Sequence, residues 1–596
     1  MVRNIPIRHH DVAASNVQND DDSAEVDASQ PPISHAVRIL AMEIQADVKD
    51  LEAFYNISIS PTRILRLRRY MTTKLSELEK LPFQRLIQEA RVDYVLLRNY
   101  LRRQIRSLNT DESRNEELQP LFEHWMPSLI DLLERRQKVT ATEGQFAASV
   151  LASANSHITK LKTKISNGKL KLKDSFAAFR AANALQEIHM RFTEWHAFYS
   201  GYNPTFTWWI SHPWTKLQTE LLSLRSTIRT VLVGISDSES GDADDAIVGQ
   251  PIGRSGLLHD LSIELIPYSP EQLCSIGEKE YAWCEREMVL ASRKLGYGED
   301  WGAALEHVKD LYQAPGSQPE MVYALAREAI EYVGAGGNDM VTIPALCAET
   351  WRTYMMSPAA QRVNPFFLGG PYIQVSYPTD AMSHEEKVMS LRANSRPFSR
   401  ATVFHELIPG HHLQWHFMDR YKTYRAELFS TPFWIEGWAF YWEFILWDRG
   451  FAATPEDKIG MLFWRMHRCA RILFSINFHL GKWTPQECID FLVEKVGHER
   501  ATAEGEVRRS LNGDYSPLYQ AGYMLGALQL YALRKEMVDG GEWTEKAFHD
   551  RILRENQMSV EMLRALLRGE ELTADYEPQW RFYDDREKEL DSSLPR

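Results

Sequence analysis

Residues 405–414 read His-Glu-Leu-Ile-Pro-Gly-His-His-Leu-Gln, and residues 434–439 read Trp-Ile-Glu-Gly-Trp-Ala. Two imidazoles and a carboxylate are ligands that a catalytic zinc ion commonly takes from a protein, with a fourth position left for water. In the usual helical motif H-E-x-x-H, the two His are one turn apart and the Glu serves as base. The spacing is longer here, because His405 precedes His411 by six positions and His412 by seven.

A regular helix cannot bring His405 and His412 to one ion, because seven residues span ~10.5 Å at ~1.5 Å per residue. Pro409 and Gly410 lie between them. Proline lacks an N–H and clashes with the preceding turn, and glycine tolerates unusual backbone angles. The sequence therefore predicts that the helix bulges or breaks at this point. We take His411 as the second ligand after His405, with His412 as the alternative.

The segment Phe433–Trp447 is apolar almost all round and is predicted to be a buried helix. Its two acidic residues, Glu436 and Glu443, are seven positions apart on one face. A buried carboxylate must be paired or bound to a metal. Glu436 is therefore predicted to be the third ligand of one Zn²⁺ per chain. Glu443 is predicted to orient one of the His ligands from behind.

Two of these strings, HELIPGHHLQ and WIEGWAFYWE, resemble the DUF885 family and, more distantly, the helical gluzincin metallopeptidases. The resemblance extends from about Ala36 to the C-terminus. It implies a metallopeptidase-like fold and site, and it supplies no substrate. Further matching strings begin at Pro251 (PIGRSGLLHDL), Pro267 (PYSPEQL), Phe474 (FSINFHLGKWT) and Tyr519 (YQAGYMLGALQLYALR).

Zinc chemistry also needs a base and a donor to the oxyanion, and the sequence offers candidates for both. Glu406, next to the first His, is predicted to take a proton from water and deliver it to the leaving amine. Tyr523 and His479 are candidate catalytic donors, and Tyr519 is a candidate donor or substrate-binding residue. All three lie in strings that match the family. For each, a core position with a satisfied hydrogen bond is the alternative.

Two further features suggest contacts with a substrate. Arg508 is a candidate to bind a substrate carboxylate with two parallel hydrogen bonds. Residues 371–378 (PYIQVSYP) alternate between two faces, which predicts a strand. If this strand lies at an edge, Tyr372 and Gln374 belong to a site where an extended peptide adds as a further strand. A purely structural hairpin is the equal alternative.

Composition limits the class of protein. The chain has 596 residues and a net charge of −13, which argues against nucleic-acid binding. Its first 32 residues lack an apolar region of a secretory signal, and no apolar run reaches the ~18 residues that cross a bilayer. The five cysteines are scattered and include no CxxC pair, so we expect reduced thiols. These features predict a cytoplasmic protein without a membrane partner.

The predicted fold is mainly α: a large two-lobed helical protein with a central cleft and a small β element near residues 371–378. Residues 1–32 are expected to be a disordered tail, and residues 33–235 an N-terminal helical lobe. Residues 250–596 are expected to be a catalytic helical lobe that carries the metal site. Helix-start signals at residues 269–272 (SPEQ) and 484–487 (TPQE) support the helical assignment.

Three functions are consistent with this pattern. The first is a zinc-dependent hydrolase of amide bonds in short peptides or peptide-like small molecules. The second is a metal-dependent tailoring enzyme in a small-molecule biosynthetic pathway. The third is a non-catalytic binding scaffold that keeps a structural metal or none. Glu406 argues against the scaffold, because a structural metal site needs no base.

Overall fold

The computed structural model describes residues 33–235, 247–361, 366–513 and 515–592. The predicted tail at residues 1–32 and the acidic stretch at residues 236–245 lie outside these described residues. Within them the protein is mainly helical, as the sequence predicts, with two short strands. No described helix combines the length and the apolar character that crossing a membrane requires.

Residues 33–235 form a series of eight α-helices, the last of which continues into a π-helical turn at Ile228–Val233. These helices are α1 (Ile33–Phe54), α2 (Pro61–Glu79), α3 (Gln88–Glu116), α4 (Gln119–Phe122), α5 (Met126–Gln137), α6 (Gly144–Ser166), α7 (Ser175–Tyr199) and α8 (Pro204–Thr227).

The second part contains the motifs singled out in the sequence. Its helices are α9 (Gly253–Ile263), α10 (Pro270–Leu295), α11 (Trp301–Lys309), α12 (Gln318–Val333), α13 (Ala345–Thr350), α14 (Pro358–Gln361), α15 (His384–Ala393), α16 (Arg396–Glu406), α17 (His411–Met418), α18 (Arg425–Leu428), α19 (Pro432–Asp448), α20 (Pro455–His479), α21 (Pro485–Phe491), α22 (Arg500–Leu511), α23 (Tyr519–Arg534), α24 (Glu545–Glu555), α25 (Val560–Arg568) and α26 (Asp584–Ser592).

The predicted helix starts are where the sequence places them. Ser269 caps α10 and Thr484 caps α21, each in a reciprocal capping box with the residue three positions later. The apolar helix α19 begins after Thr431, whose hydroxyl accepts a hydrogen bond from the Phe433 N–H. Almost all of α19 is buried, including both of its Glu residues.

The two main clusters of the hydrophobic core do not correspond to the two lobes predicted on either side of the acidic stretch at residues 236–245. Buried residues of α1–α3 share one large cluster with the helices of the second part. A separate cluster is built from α4–α8 together with Ile57 and Ile228. The boundary proposed near residues 235–250 stays a prediction, but α1–α3 pack with the part of the chain that carries the candidate site.

The β element is smaller than the sequence predicts. Strand β1 (Thr353–Met355) pairs in parallel with β2 (Ile373–Val375). On the other side of β2, Leu368 and Gln374 exchange two backbone hydrogen bonds of 3.1 and 2.7 Å. At Gln374 the strand is therefore covered on both sides, so the expectation that it forms an open edge for a peptide is wrong.

Close helix contacts at glycines bring the motif-bearing helices together. A Cβ on Gly526 of α23 would lie 2.1 Å from the Phe433 carbonyl oxygen of α19, and Gly437 meets the Gly526 backbone in the same way. A Cβ on Gly460 of α20 would lie 2.3 Å from the Pro397 carbonyl oxygen of α16. Because Cβ atoms do not approach backbone oxygens this closely, these contacts require glycine.

Candidate metal centre

The helix that carries His405 breaks as the sequence predicts. α16 ends at Glu406 and α17 begins at His411, with the cis Ile408–Pro409 bond between them. A Cβ on Gly410 would lie 1.8 Å from the His405 carbonyl oxygen, so only glycine allows the chain to pass this close. The break lets two imidazoles on different helices face each other, with ring centroids 5.0 Å apart.

Three predicted ligands come together at this break. Nε2 of His411 lies 3.2 Å from Oε2 of Glu436, and Nε2 of His405 lies 3.7 Å from the same oxygen. The ligand atoms of all three residues lie within 4.8 Å of one another, and this is the one such group in the described part of the chain. A tetrahedral zinc ion with bonds of ~2.0–2.1 Å needs ligand atoms about 3.3 Å apart. The donor set therefore fits zinc in chemistry and in spacing.

His412, the alternative second ligand, lies outside this group. Its Nδ1 is 3.1 Å from the Pro371 carbonyl oxygen, and its Nε2 is 3.1 Å from the Cys347 carbonyl oxygen. Both ring nitrogens face backbone oxygens, because adjacent residues of a helix point about 100° apart. The structure thus brings His411, and not His412, to the candidate metal centre.

A second layer of side chains holds the three ligands. Nδ1 of His405 lies 3.0 Å from Oε1 of Glu443, the role predicted for that carboxylate. The Tyr519 hydroxyl donates a 2.6 Å hydrogen bond to Oε1 of Glu436. If Nδ1 of His405 carries the proton, Nε2 is left as a lone pair that faces the centre. The contact between His411 Nδ1 and Gln414 Oε1 is longer, at 3.5 Å.

The electrostatics of the group favour a cation. Burial lowers the pKa of His405, but the carboxylates of Glu436 and Glu443 outweigh burial and raise that pKa to about 9. Burial raises the pKa of Glu436, but the two imidazoles outweigh it and hold that pKa well below its usual value. Glu436 is therefore ionised, and positive charge at this point is strongly stabilised.

Glu406 lies beside the ligands without joining them. Its Oε2 is 3.9 Å from His411 Nε2, and burial raises the pKa of its carboxyl group. The backbone of Gly369 also lies close to this carboxylate, since a Cβ on Gly369 would be 2.1 Å from Glu406 Oε2. Glu406 is therefore a buried carboxylate close to the three predicted ligands that does not belong to their group.

A cavity of about 310 Å³ opens onto the ligands and Glu406. Of the other predicted site residues, Tyr519, Tyr523 and Gln374 line it. The Tyr523 ring stacks at 6.3 Å from the His405 ring, nearly parallel to it. The Tyr519 hydroxyl donates to Glu436, whereas the Tyr523 hydroxyl makes no hydrogen bond with the described residues.

His479, Arg508 and Tyr372 do not line this cavity. His479 is the last residue of α20 and lines a different cavity, because it lies two turns beyond Arg471, the last residue of that helix in the site. The next residue, Arg509, lines the cavity, and Arg508 does not. The Tyr372 ring packs on Tyr354, with centroids 4.6 Å apart. The structure therefore does not bring these three residues to the candidate metal centre, and the roles assigned to them stay predictions.

Sequence reasoning missed three buried arginines that line the same cavity, Arg468, Arg471 and Arg509. A signal existed for two of them. Arg468 and Arg471 are one turn apart in α20, a helix that is otherwise rich in buried apolar residues. The rule applied to Glu436, that a buried charge must have a partner or a function, applies equally to these arginines.

The profile of the family described as "Bacterial protein of unknown function (DUF885)" matches residues 57–567. The chain belongs to this family. No curated protein matches the chain. Two solved structures share the fold, and both proteins are described provisionally as lipoproteins.

The first, a protein of unknown function from Shewanella oneidensis, is 17% identical, with a TM-score of 0.63 over 89% of this chain and 99% of its own. The second, from Colwellia psychrerythraea, is 16% identical, with a TM-score of 0.56 over 90% of this chain and 99% of its own. Identities this low establish a shared fold and carry no activity to this member of DUF885.

Proposed function

We propose that the protein is a zinc-dependent hydrolase of amide bonds in short peptides or peptide-like small molecules. One observation carries the proposal: two imidazoles and a carboxylate from three separate helices converge in a buried group, with a further carboxylate beside them that is not a ligand. The distant resemblance of these strings to the helical gluzincins agrees with this function.

A zinc ion in this group would supply Lewis acidity, which polarises a carbonyl group and makes water a nucleophile near pH 7. Glu406 is placed to take a proton on its carboxylate from the attacking water and to return it to the leaving amine nitrogen. Tyr523, whose hydroxyl has no partner among the described residues, is the better placed of the two tyrosines to donate to the oxyanion. Tyr519 positions Glu436 instead.

The size of the cavity limits the substrate. About 310 Å³ is at the lower end of small-molecule sites, which span roughly 300–1,000 Å³. A short peptide segment or a small amide fits such a volume. This size also keeps a tailoring enzyme acting on a non-peptide amide as the second candidate. The cytoplasmic location, and the absence of nucleic-acid and membrane partners, stay predictions from composition.

Metal analysis combined with two variants tests the proposal. Purified protein should contain about one zinc per chain, and His405→Ala should lose it. Glu406→Gln should retain the zinc and lose turnover of fluorogenic dipeptides and tripeptides by at least ~10²-fold, the usual contribution of a general base. Zinc-free protein, or full activity in Glu406→Gln, would overturn the hydrolase. Bound zinc without peptide turnover would favour the tailoring enzyme.

A further inference from the structure

The cavity of the candidate metal centre has a second chemical feature, a group of three buried arginines. Arg468, Arg471 and Arg509 all line it, and each is less than a tenth exposed. A buried charge is stable only with a partner, so we ask which carboxylate lies within hydrogen-bonding distance of each arginine.

One carboxylate serves two of the three. Glu506 Oε1 lies 2.6 Å from Arg471 Nε, and Glu506 Oε2 lies 2.5 Å from Arg509 Nη2. Burial raises the pKa of Glu506, but these two guanidinium groups outweigh it and lower that pKa to about 2. Glu506 is therefore an ionised carboxylate that lies between these two guanidinium groups.

The third arginine, Arg468, has no hydrogen-bonded carboxylate among the described residues. The oxygen that lies near Arg468 Nη2 is Glu443 Oε1, at 3.8 Å, and it is shared with His405. Nε and Nη1 of Arg468 have no hydrogen-bond partner within the described part of the chain. Aromatic rings of Trp464 and Tyr523 lie 4.8 and 5.5 Å from its guanidinium carbon. Ring faces attract a cation but accept none of its in-plane hydrogen bonds.

The arginines and the metal ligands belong to one compact site. The Tyr523 ring lies 4.3 Å from the guanidinium carbon of Arg471 and 6.3 Å from the His405 ring. One extended residue spans ~3.3–3.6 Å, so a group at the arginines and an amide at the metal ligands fit within one short molecule.

We propose that Arg468, with Arg471 and Arg509, binds a carboxylate of the substrate. Planar guanidinium groups bind carboxylates with paired charge-assisted hydrogen bonds, and Arg468 has no hydrogen-bonded carboxylate among the described residues. The substrates are then amides with a free carboxylate close to the scissile bond, such as short peptides with a free C-terminus. This substrate class rests on the proposed hydrolase. Water adds a hydroxyl group to the acyl carbon, the C–N bond breaks, and the amine nitrogen of the released amino acid gains the proton.

Binding of two small probes to metal-free protein tests the carboxylate site independently of catalysis. Hippurate carries a carboxylate, and hippuramide replaces it with a neutral amide of the same size. Calorimetry on the full chain, stripped of metal with a chelator, should show hippurate binding at least ~10-fold more tightly, equivalent to ~1.4 kcal/mol. Equal binding of the two probes, or no binding of hippurate, would overturn the inference.

Variants assign the site to the arginines. Arg468→Met should weaken hippurate binding by at least about tenfold, to the level of hippuramide. Arg500→Met removes a positive charge from the exposed start of α22, outside the cavity, and should bind hippurate normally. Unchanged binding by Arg468→Met would overturn the inference. The hippurate–hippuramide comparison on the unsubstituted protein decides the matter if the variant does not fold.

Turnover by zinc-loaded protein separates this inference from the proposed hydrolase. Peptides with a free C-terminus should have a kcat/KM at least about tenfold above that of the same peptides with an amidated C-terminus. Equal values would leave a hydrolase without the carboxylate site. Selective hippurate binding with no hydrolysis of either peptide would leave an anion site without the hydrolase.

Discussion

Glu443 Oε1 lies 3.0 Å from His405 Nδ1, and both side chains are buried. A carboxylate behind a ligating imidazole fixes its tautomer and turns its other nitrogen towards the metal. Glu443 lies seven residues beyond Glu436 in α19, about two turns further along the same face, so one helix supplies one ligand and orients another.

Replacing Glu443 with Gln should weaken zinc binding by roughly 10–100-fold, the usual cost of losing such a partner. The amide keeps the shape of the carboxylate but removes its charge. Competition with a zinc chelator measures the change in affinity. Glu494→Gln, which removes a charge from an exposed position, is the matched control and should bind zinc normally. A Glu443→Gln affinity equal to that of the control would show that this contact does not support the site.

A side chain at position 369 should move the Glu406 carboxylate and leave the three predicted metal ligands in place. An alanine Cβ would lie 2.1 Å from Glu406 Oε2 and 2.9 Å from its Cα, so either the loop or the carboxylate must move. In Gly369→Ala we expect zinc content to stay near one per chain while kcat falls by at least ~10²-fold, as for loss of the base. Equal zinc content and unchanged kcat would contradict this prediction and mean that the loop, and not the Glu406 carboxylate, moves to make room. Gly336→Ala, with no atom within 4 Å of the added Cβ, is the control.

The sequence predicts the ligands well because their signal is local. A base beside a His, a helix-breaking Pro-Gly and an acidic residue in an apolar helix are all visible within 32 residues. The structure brings His405, His411 and Glu436 together as that pattern predicts. The choice between His411 and His412 depends on how the chain leaves the break, which no local pattern specifies.

The cavity walls were harder to predict because they depend on long-range packing. Arg509 lines the site and Arg508 does not, since one step along α22 rotates the side chain by about 100°. His479 lies outside the cavity because α20 continues for about two turns between Arg471, which lines the cavity, and His479. The 371–378 strand alternates as expected, but its covered edge depends on Leu368, which has no strand pattern of its own.

The contact between α19 and α23 should be critical for both stability and metal binding. In Gly526→Ala the added Cβ would meet the Phe433 carbonyl oxygen at 2.1 Å and the Gly437 Cα at 2.9 Å. Overpacking of this kind costs about 1–3 kcal/mol or more. The separation of the helices should also move Glu436 away from the His ligands. Urea unfolding and zinc analysis should show both losses, whereas Gly336→Ala should show neither. If Gly526→Ala were as stable as the unsubstituted protein, the close contact between α19 and α23 would not be required for stability.

The protein should lose stability below about pH 6.5 through buried neutral histidines. His549 is one of them: its Nε2 lies 2.7 Å from the Tyr441 hydroxyl, and its Nδ1 lies 2.8 Å from the Met340 carbonyl oxygen. Burial lowers the pKa of His549 to about 4. As the pH falls, His549 is therefore protonated near pH 6.5 in the unfolded chain but only near pH 4 in the folded protein. The stabilisation is complete above pH 6.5 and is lost as the pH falls towards 4, at about 1.4 kcal/mol per pH unit.

Urea unfolding of metal-free protein at pH 7, 6 and 5 measures this dependence. His549→Gln keeps a hydrogen-bonding side chain but cannot titrate, so its free energy of unfolding should fall less steeply with pH. The difference in slope from the unsubstituted protein should approach about 1.4 kcal/mol per pH unit below pH 6. Comparing the two slopes cancels the contributions of His479 and His498, whose pKa values burial also lowers, to about 4 and about 3. Identical slopes would mean that His549 is protonated equally in the folded and unfolded states, against its buried, hydrogen-bonded position.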